Sequence, residues 1–422
     1  MTKNKWTALF LSNFLGIFND NFLKNCIIFI AVSWTLPGWL TQSQLISFVS
    51  ASLVIPYLFL SPLAGRLAVI YSKKSVFKLG KLLEIPVLAL ACVAFYFHWP
   101  LTAVFCVLLM GIISCLYSPA KYSLIRDIGG EEGVSYGSGV FEMMAFLGIL
   151  TGTVVASVAA DYYNQWAVMA GYLGLAIAGY FVTRSIRANE LPENKDEKGT
   201  LNPIRFIIDS YKFASRYKHV NSAVFGASAF WLIGGMLQMN LVIHTQHQYH
   251  TNNSTTGMVM ACAAIGIAIG TLTAGKISGS KVKKGLILPS IAMMSILFAL
   301  VSFIPMSLPV YIAVIFSIAF AGGLFQIPCL SIIQNAGLGR KVGDIFGYLN
   351  LITFMLVLTG TALFSGITYL TEENSHIVFA SISIICIAIL AFYLFSSADF
   401  IKETKAIFAR KNKQESLSID ND

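Results

Sequence analysis

The sequence predicts an all-α integral membrane protein of twelve spanning helices, arranged as two homologous six-helix bundles related by a pseudo-twofold along the membrane normal. Three observations carry this. Hydrophobic residues make up 56% of the 422 and charged residues 12%, with a mean hydropathy of +0.72, against about 25% charged in soluble domains. Twelve stretches are long and apolar enough to cross a bilayer. The two halves of the chain repeat each other's motifs at matching offsets.

A spanning helix needs roughly 20 mostly apolar residues. The candidates lie near 7–35, 44–70, 76–97, 101–125, 137–160, 164–184, 220–243, 255–275, 285–305, 308–333, 343–369 and 376–398. The first begins almost at residue 1, with no small-residue cleavage site, so no removed signal peptide is read here.

The net charge of +9 is a topology signal and excludes little else. The segments "YSKKSVFKLGK", 185–218, "KISGSKVKK", "GLGRKVGD" and "FIKETKAIFARKNK" hold most of the lysines and arginines, and Lys24 alone lies towards the outer side. The opposite connections, near 36–43, 98–100, 161–165, 244–254, 304–309 and 370–375, hold none. Basic residues stay on the cytoplasmic side, so both termini are expected there and nucleic-acid binding is not. The seven cysteines all fall in predicted spans without a C-x-x-C pair. They read as small buried hydrophobes, and no disulfide framework is implied.

The repeats set the domain organisation. "ILTGT" at 149–153 returns as "VLTGT" at 357–361, "SLIR" at 123–126 aligns with "SIIQ" at 331–334, and Gly139 aligns with Gly347. Gly65 stands eight residues before Lys73, as Gly275 does before Lys283, and a second lysine, Lys74 or Lys284, follows each. Parallel repeats of this kind build the two halves of major facilitator transporters. The expected organisation is an N-terminal bundle at 1–185, a cytoplasmic linker at 186–218, a C-terminal bundle at 219–399 and a disordered tail at 400–422. Within the linker, Asn202 and Pro203 start a helix. Its Ile204, Ile207, Ile208, Tyr211 and Ala214 share one face, and Arg205, Asp209, Lys212 and Arg216 the other. That is an amphipathic helix lying on the leaflet, a flexible tie between halves that rock.

Several motifs fail. "GTLTAGKI" at 270–277 nearly spells a phosphate-binding loop, but Ile277 replaces the required hydroxyl and no strand precedes it. Gly266, Gly270 and Ala274 read as a small-residue packing face. His244, His247 and His250 share a helical face at the outer end of the seventh span, and read as a solvated cap before a metal or pH site. No metal site, cofactor site or catalytic constellation is found, so no enzyme is expected.

The strong signal is intramembrane charge. The first span carries Asn19, Asp20, Asn21, Lys24 and Asn25. A charge at the bilayer centre costs at least about 2.5–3.5 kcal/mol, so such residues face a bundle interior or a wet cavity. Lys121 follows Pro119 at the end of the fourth span, and Glu142 lies in the first half of the fifth. In the eleventh, Asn350 holds the repeat-equivalent place of Glu142. In this architecture helices 1, 4, 7 and 10 line the central cavity. Each residue also has a plainer reading. Lys121 could snorkel to the surface, Glu142 could pair with Lys121 or Arg126, and Asp20 could pair with Lys24 one turn on.

"FLGIFNDNFL", "LYSPAKYSLI", "GVFEMM" and "FGASAFW" together resemble the lysophospholipid transporters of the major facilitator superfamily, found in bacterial inner membranes. The resemblance runs over nearly the whole chain, and "YSPAKY" is its most specific piece. It implies import of lysophosphatidylethanolamine-like lipids by alternating access for re-acylation. It also implies Asp20, Asn21, Lys121, Glu142, Gln238 and Asn350 as substrate residues, with Gly65, Lys73, Lys74, Gly275, Lys283 and Lys284 as gating residues. Expected partners are the lysophospholipid, membrane lipids and an acyltransferase/acyl-carrier-protein synthetase, with the protein a monomer. Two departures stand out. The family's arginine in the seventh helix is here Gln238, and the acid of the superfamily loop pattern G-x-x-x-D is Val69, which implies a weaker charge lock on the outward-open state. The readings set against lysolipid transport are a proton-coupled exporter of drugs or other amphiphiles and a non-transporting scaffold for a lipid enzyme.

The charge asymmetry yields a topology test. Single cysteines introduced within 161–165 or 370–373 react with an impermeant maleimide from outside the cell, and cysteines within 190–200 react only from inside. Reversed labelling at either set contradicts the topology.

Overall fold

The computed structural model describes residues 4–38, 40–197, 199–406 and 409. Its helices are α1 (Asn4–Phe29), α2 (Gln42–Ile70), α3 (Lys73–Tyr96), α4 (Pro100–Asp161), α5 (Gln165–Arg184), α6 (Pro203–Ala214), α7 (Val220–Tyr249), α8 (Asn253–Ser278), α9 (Ile287–Phe303), α10 (Leu308–Asn335), α11 (Val342–Leu370) and α12 (Ser375–Ser396). Side-chain caps mark the turns: Thr41 opens α2 with a capping box to Gln44, Ser72 opens α3, and Asn164, Asn202, Asn252 and Asn374 open α5, α6, α8 and α12.

Among the described residues ten helices are long and apolar enough to cross a membrane. They do not include α1, whose polar middle dilutes its hydropathy. One of the ten is α4, with 62 residues. At 1.5 Å per residue a straight helix of that length would be about three times the roughly 30 Å hydrocarbon core. It is broken at Gly130, whose φ of 65° and ψ of −170° suit only glycine. The connection expected between spans at 101–125 and 137–160 is therefore helical on both sides of one glycine.

The chain forms two compact units. The first comprises Met1–Gly133, Val140–Tyr217 and Gly337–Phe354, and the second Val134–Gly139, Lys218–Ala336 and Met355–Asp422. In the first, α5 packs against α1 and α3, with Phe22 and Phe95 closing on Tyr172 at 5.0 and 5.5 Å between ring centroids. In the second, α8 packs on α10 and α9 on α12. A Cβ on Gly323 would stand 2.6 Å from the Ile267 carbonyl oxygen, and Ala274 is fully buried. The near-match to a phosphate loop thus lies on a helix-packing face.

Each unit contains one close crossing built on glycines that the repeat aligns. In the first, α2 meets α11: a Cβ on Gly65 would lie 3.1 Å from Asp344 Cα, and one on Gly347 would lie 3.0 Å from Gly65 Cα. In the second, the 134–139 stretch of α4 meets α8: a Cβ on Gly139 would lie 2.6 Å from the Thr271 carbonyl oxygen and 3.0 Å from Gly275 Cα. Backbone meets backbone at both places, which no larger side chain permits.

The linker is strapped to the first unit. Glu190 accepts hydrogen bonds from the Lys73 and Lys74 amides and from the Ser72 hydroxyl, and Glu193 accepts from the Ser72 amide. This caps the start of α3 with negative charge. The Ser72 amide holds the Glu193 carboxyl below the usual range. Further along, α6 starts at Asn202 as expected. Its Phe206, Ser210 and Ala214 are buried, while Ile204, Ile208 and Tyr211 stay exposed. The helix thus packs along a narrow seam that takes in Ala214 and leaves Ile204, Ile208 and Tyr211 of the expected apolar face uncovered. Beyond α12 the chain is helical over 398–406, and most of the tail expected to be disordered lies outside the described residues. His244 departs from the expected solvated cap. It is buried, 2.9 Å from the Ser375 hydroxyl and packed edge-on to Tyr249, His376 and Phe379 and at a tilt to Tyr311, while His247 and His250 are exposed.

The glycine crossing is open to a direct check. Gly139→Leu should lower stability by about 1–3 kcal/mol or more, as overpacking does, seen as a lower melting temperature in detergent. Gly174→Leu, on exposed α5 with nothing within 4 Å, should be neutral. Equal effects at the two positions contradict the crossing.

Candidate functional site

The polar middle of α1 faces α3 and α4 within the first unit. Asp20 accepts a hydrogen bond from Ser114 on α4 at 3.0 Å, and its second oxygen is buried without a partner among the described residues. The expected pairing with Lys24 is not made. Lys24 instead donates to the Asn21 side-chain oxygen at 3.2 Å, and Asn21 donates to the Ile17 carbonyl. Asp20 forms no ion pair among the described residues.

Beneath Asp20 lies a pair that sequence reading missed. Lys81 and Glu84 on α3 are each 1% exposed and joined at 2.7 and 3.0 Å. Lys81 was counted among the basic residues of the "YSKKSVFKLGK" connection. It is a buried charge, one turn from its partner. Tyr117 donates to Glu84 at 3.0 Å, and its hydroxyl stands 3.2 Å from that of Ser114. A continuous polar chain thus runs Asp20–Ser114–Tyr117–Glu84–Lys81. Gly16 makes room for it, because a Cβ there would lie within van der Waals overlap of the Lys81 ammonium. The signal available in the sequence was a Lys and a Glu three apart, entering an apolar run.

Lys121 is not at the surface. Its ammonium sits 5.7 Å from the ring centres of Tyr117, Tyr122 and Phe141 and donates to the Asn13 side chain at 3.1 Å. An aromatic cage of this kind holds a cation by about 0.5–2 kcal/mol per ring. No carboxylate stands within ion-pairing distance among the described residues. Glu142 is 1% exposed and bonded to the Tyr122 hydroxyl at 2.8 Å, so Tyr122 stands between the acid and the base that were expected to pair. Arg126 meets Glu131 at 2.6 Å instead. Asn350 on α11 joins the same unit through the Ser118 hydroxyl at 3.1 Å. Gln238, on α7 in the second unit, is exposed.

The four lysines expected to gate differ from one another. Lys73 is buried and paired with Asp127 at 2.6 Å, and Lys74 contributes its backbone amide to the Glu190 cap. Lys284 stands 3.7 Å from Glu403, and Lys283 is half-buried before the short turn Lys284–Leu286. A residue outside the expected set gathers more contacts than any of these four. Arg340 is 9% exposed and donates to the carbonyls of Ala68, Val69 and Tyr71 at the end of α2 and to that of Leu191 in the linker. A cation on a helix C-terminus is worth about 0.3–2 kcal/mol. The backbone of Val69 therefore takes the contact for which the missing acid was expected. Lys341 beside it meets Glu197 at 2.8 Å, and that bond holds the Glu197 carboxyl below its usual range.

The model of the Major Facilitator Superfamily matches residues 9–361. The chain belongs to this superfamily. The lysophospholipid transporter LplT of Pectobacterium carotovorum subsp. carotovorum (strain PC1) is 25% identical over 276 residues, 64% of this chain and 64% of that protein. LplT of Shigella flexneri serotype 5b (strain 8401) is 26% identical over 333 residues, 78% of this chain and 80% of that protein. Among solved structures, the human organic anion transporter MFSD10 (TETRAN) superposes with a TM-score of 0.75 at 13% identity, covering 92% of this chain and 98% of that one. The E. coli fucose:proton symporter FucP gives 0.70 at 12%, covering 91% and 97%. These two show the all-helical facilitator fold.

The buried pair makes a stability prediction. Breaking one partner of a buried ion pair costs about 3–5 kcal/mol, whereas replacing both with apolar residues is often neutral. Glu84→Gln should therefore lower the unfolding midpoint in denaturing detergent far more than Lys81→Met with Glu84→Leu together. A single variant as benign as the exposed Glu131→Gln contradicts the pair.

Proposed function

We propose that this facilitator transports lysophospholipids across a bacterial cytoplasmic membrane by alternating access, as a multi-pass protein of twelve spans with both termini inside. The observation that carries the reading is the pairing of opposite charges that lack counter-ions. Asp20 and Lys121 share Tyr117 as a neighbour, yet neither is in an ion pair among the described residues. A zwitterionic head group supplies both missing charges. The Lys121 ammonium meets the phosphate as a point charge, and Asp20 meets the primary ammonium through a charge-assisted bond. Two LplT relatives support the lipid class by name.

In this reading Asn21 and Asn350 border the head group and Glu142 fixes Tyr122 against Lys121. Gln238 is proposed as the place where a neutral amide stands in for the family's arginine. Gly65 and Gly275 let the helices of each unit close, Arg340 holds the closed end, and the lysines at 73, 74, 283 and 284 assist at the cytoplasmic surface. The imported lysolipid would pass to an acyltransferase/acyl-carrier-protein synthetase for re-acylation. The exporter and scaffold readings gain no separate observation.

Each charge-assisted contact is worth roughly 1.5–3 kcal/mol. Asp20→Asn should therefore slow uptake of lysophosphatidylethanolamine in proteoliposomes by tenfold or more while sparing lysophosphatidylglycerol, which has no ammonium. Lys121→Ala should slow both. Equal loss for both lipids in Asp20→Asn, with the protein intact, removes Asp20 from head-group recognition, and no lysolipid movement in the wild type overturns the reading.

A further inference from the structure

The polar chain beneath Asp20 is one proton short. It contains three oxygen–oxygen contacts: Asp20 to Ser114 at 3.0 Å, Ser114 to Tyr117 at 3.2 Å, and Tyr117 to Glu84 at 3.0 Å. A hydroxyl carries one proton, and an ionised carboxylate only accepts. With both acids ionised, Ser114 must donate to Asp20 and Tyr117 to Glu84, and the middle contact holds two oxygens with no hydrogen between them. A third proton resolves this. If it sits on Asp20, then Asp20 donates to Ser114, Ser114 to Tyr117 and Tyr117 to Glu84, and all three contacts are hydrogen bonds.

The proton belongs on Asp20 and not on Glu84. Both Glu84 oxygens already accept from the Lys81 ammonium, at 2.7 and 3.0 Å, so a proton on either would displace one of these bonds. The second oxygen of Asp20 is buried and unpartnered, which an ionised carboxylate tolerates poorly. The charged and titratable groups facing Asp20 are Lys24 on its own helix, Tyr57 on α2, Lys81 and Glu84 on α3, and Tyr117 and Lys121 on α4. Lys81 is committed to Glu84 and Lys121 to its aromatic cage, so neither neutralises Asp20 directly.

We infer that Asp20, through Ser114 and Tyr117, is a one-proton site that exchanges its proton for the primary ammonium of the substrate head group. This rests on the lysolipid reading above and deepens it. The exchange balances: the O–H bond of the Asp20 carboxyl breaks, the proton passes to water, and the arriving ammonium donates to the ionised carboxylate. At the Asp20 carboxyl the ammonium replaces the charge of the departed proton, and the site as a whole, with the net-neutral zwitterion bound, is one unit more negative. A substrate with a phosphate and no ammonium leaves the proton in place. Transport of an ammonium-bearing lysolipid inward is thereby tied to a proton moving outward.

Infrared difference spectroscopy of the purified full-length protein in detergent, stepped across neutral pH, reads the site without any lipid. A protonated-carboxyl band should titrate in the wild type, vanish in Asp20→Asn and persist in Glu142→Gln. In Tyr117→Phe the proton is no longer needed to complete the chain, so proton affinity should fall about tenfold or more, one pKa unit. An unchanged band in Asp20→Asn overturns the proton site. Lysophosphatidylethanolamine added to the weakly buffered wild type should release about one proton per protein, and lysophosphatidylglycerol none. A titrating band with no release at saturating lysophosphatidylethanolamine overturns the exchange while leaving the site. Failure of that lipid to bind at all overturns the substrate reading instead, and the band stands apart from it.

Discussion

The Lys81–Glu84 ion pair is the constraint around which the first unit is organised. Two charges in an apolar interior are tolerated only when each is paired and its remaining hydrogen-bonding capacity is used. The pair occupies one turn of α3 and recruits Tyr117 from α4. Tyr117 in turn brings Ser114, and through it Asp20 of α1. Gly16 is where α1 gives way to let the lysine in. Three helices are thus fixed in rotation and depth by one polar chain. The same tyrosine also forms a wall of the cage that holds Lys121. Asp20 and Lys121 are left without counter-ions because Lys81 and Glu84 are taken by each other, while Lys24 and Glu142 turn to the neutral Asn21 and Tyr122.

Much of this was legible in the sequence, and the rest was hidden for definable reasons. Asp20, Lys121 and Glu142 stood out because charge in apolar runs is costly. Gly65 with Gly275 and Gly139 with Gly347 stood out as aligned repeats, and the structure places each aligned pair at the same kind of crossing. Lys81 was missed because it follows a basic run, where a lysine reads as topology. Its neighbour Glu84 looked like one more residue at a helix entrance. The link from Asp20 to Glu84 needs two uncharged side chains from another helix, and no spacing rule exposes it. Pairings guessed from spacing along a helix failed for a related reason. Lys24 turned to Asn21, and Glu142 to Tyr122, because a nearer neighbour outcompeted the expected charge.

Arg340 shows that backbone contacts stand beside the departure at Val69. Val69 in place of an acid suggested a weakened lock. The guanidinium instead takes the free carbonyls at the end of α2, which any residue at position 69 supplies, and adds Leu191 from the linker. The linker expected as a flexible tie is thus held against the first unit, by Leu191 on Arg340, by Glu190 on the start of α3 and by Glu197 on Lys341.

The central claim is that a zwitterionic lipid head group binds within the first unit, between the acid of α1 and the caged lysine of α4. A lysophosphatidylethanolamine carrying a photoreactive group beside its phosphate, cross-linked to the purified protein and mapped by mass spectrometry, tests it most directly. The claim requires labelling of α1 near Asp20 and of α4 near Tyr117 to Lys121, competed away by unmodified lysophosphatidylethanolamine. Labelling confined to other helices, or undiminished by the competitor, would contradict it.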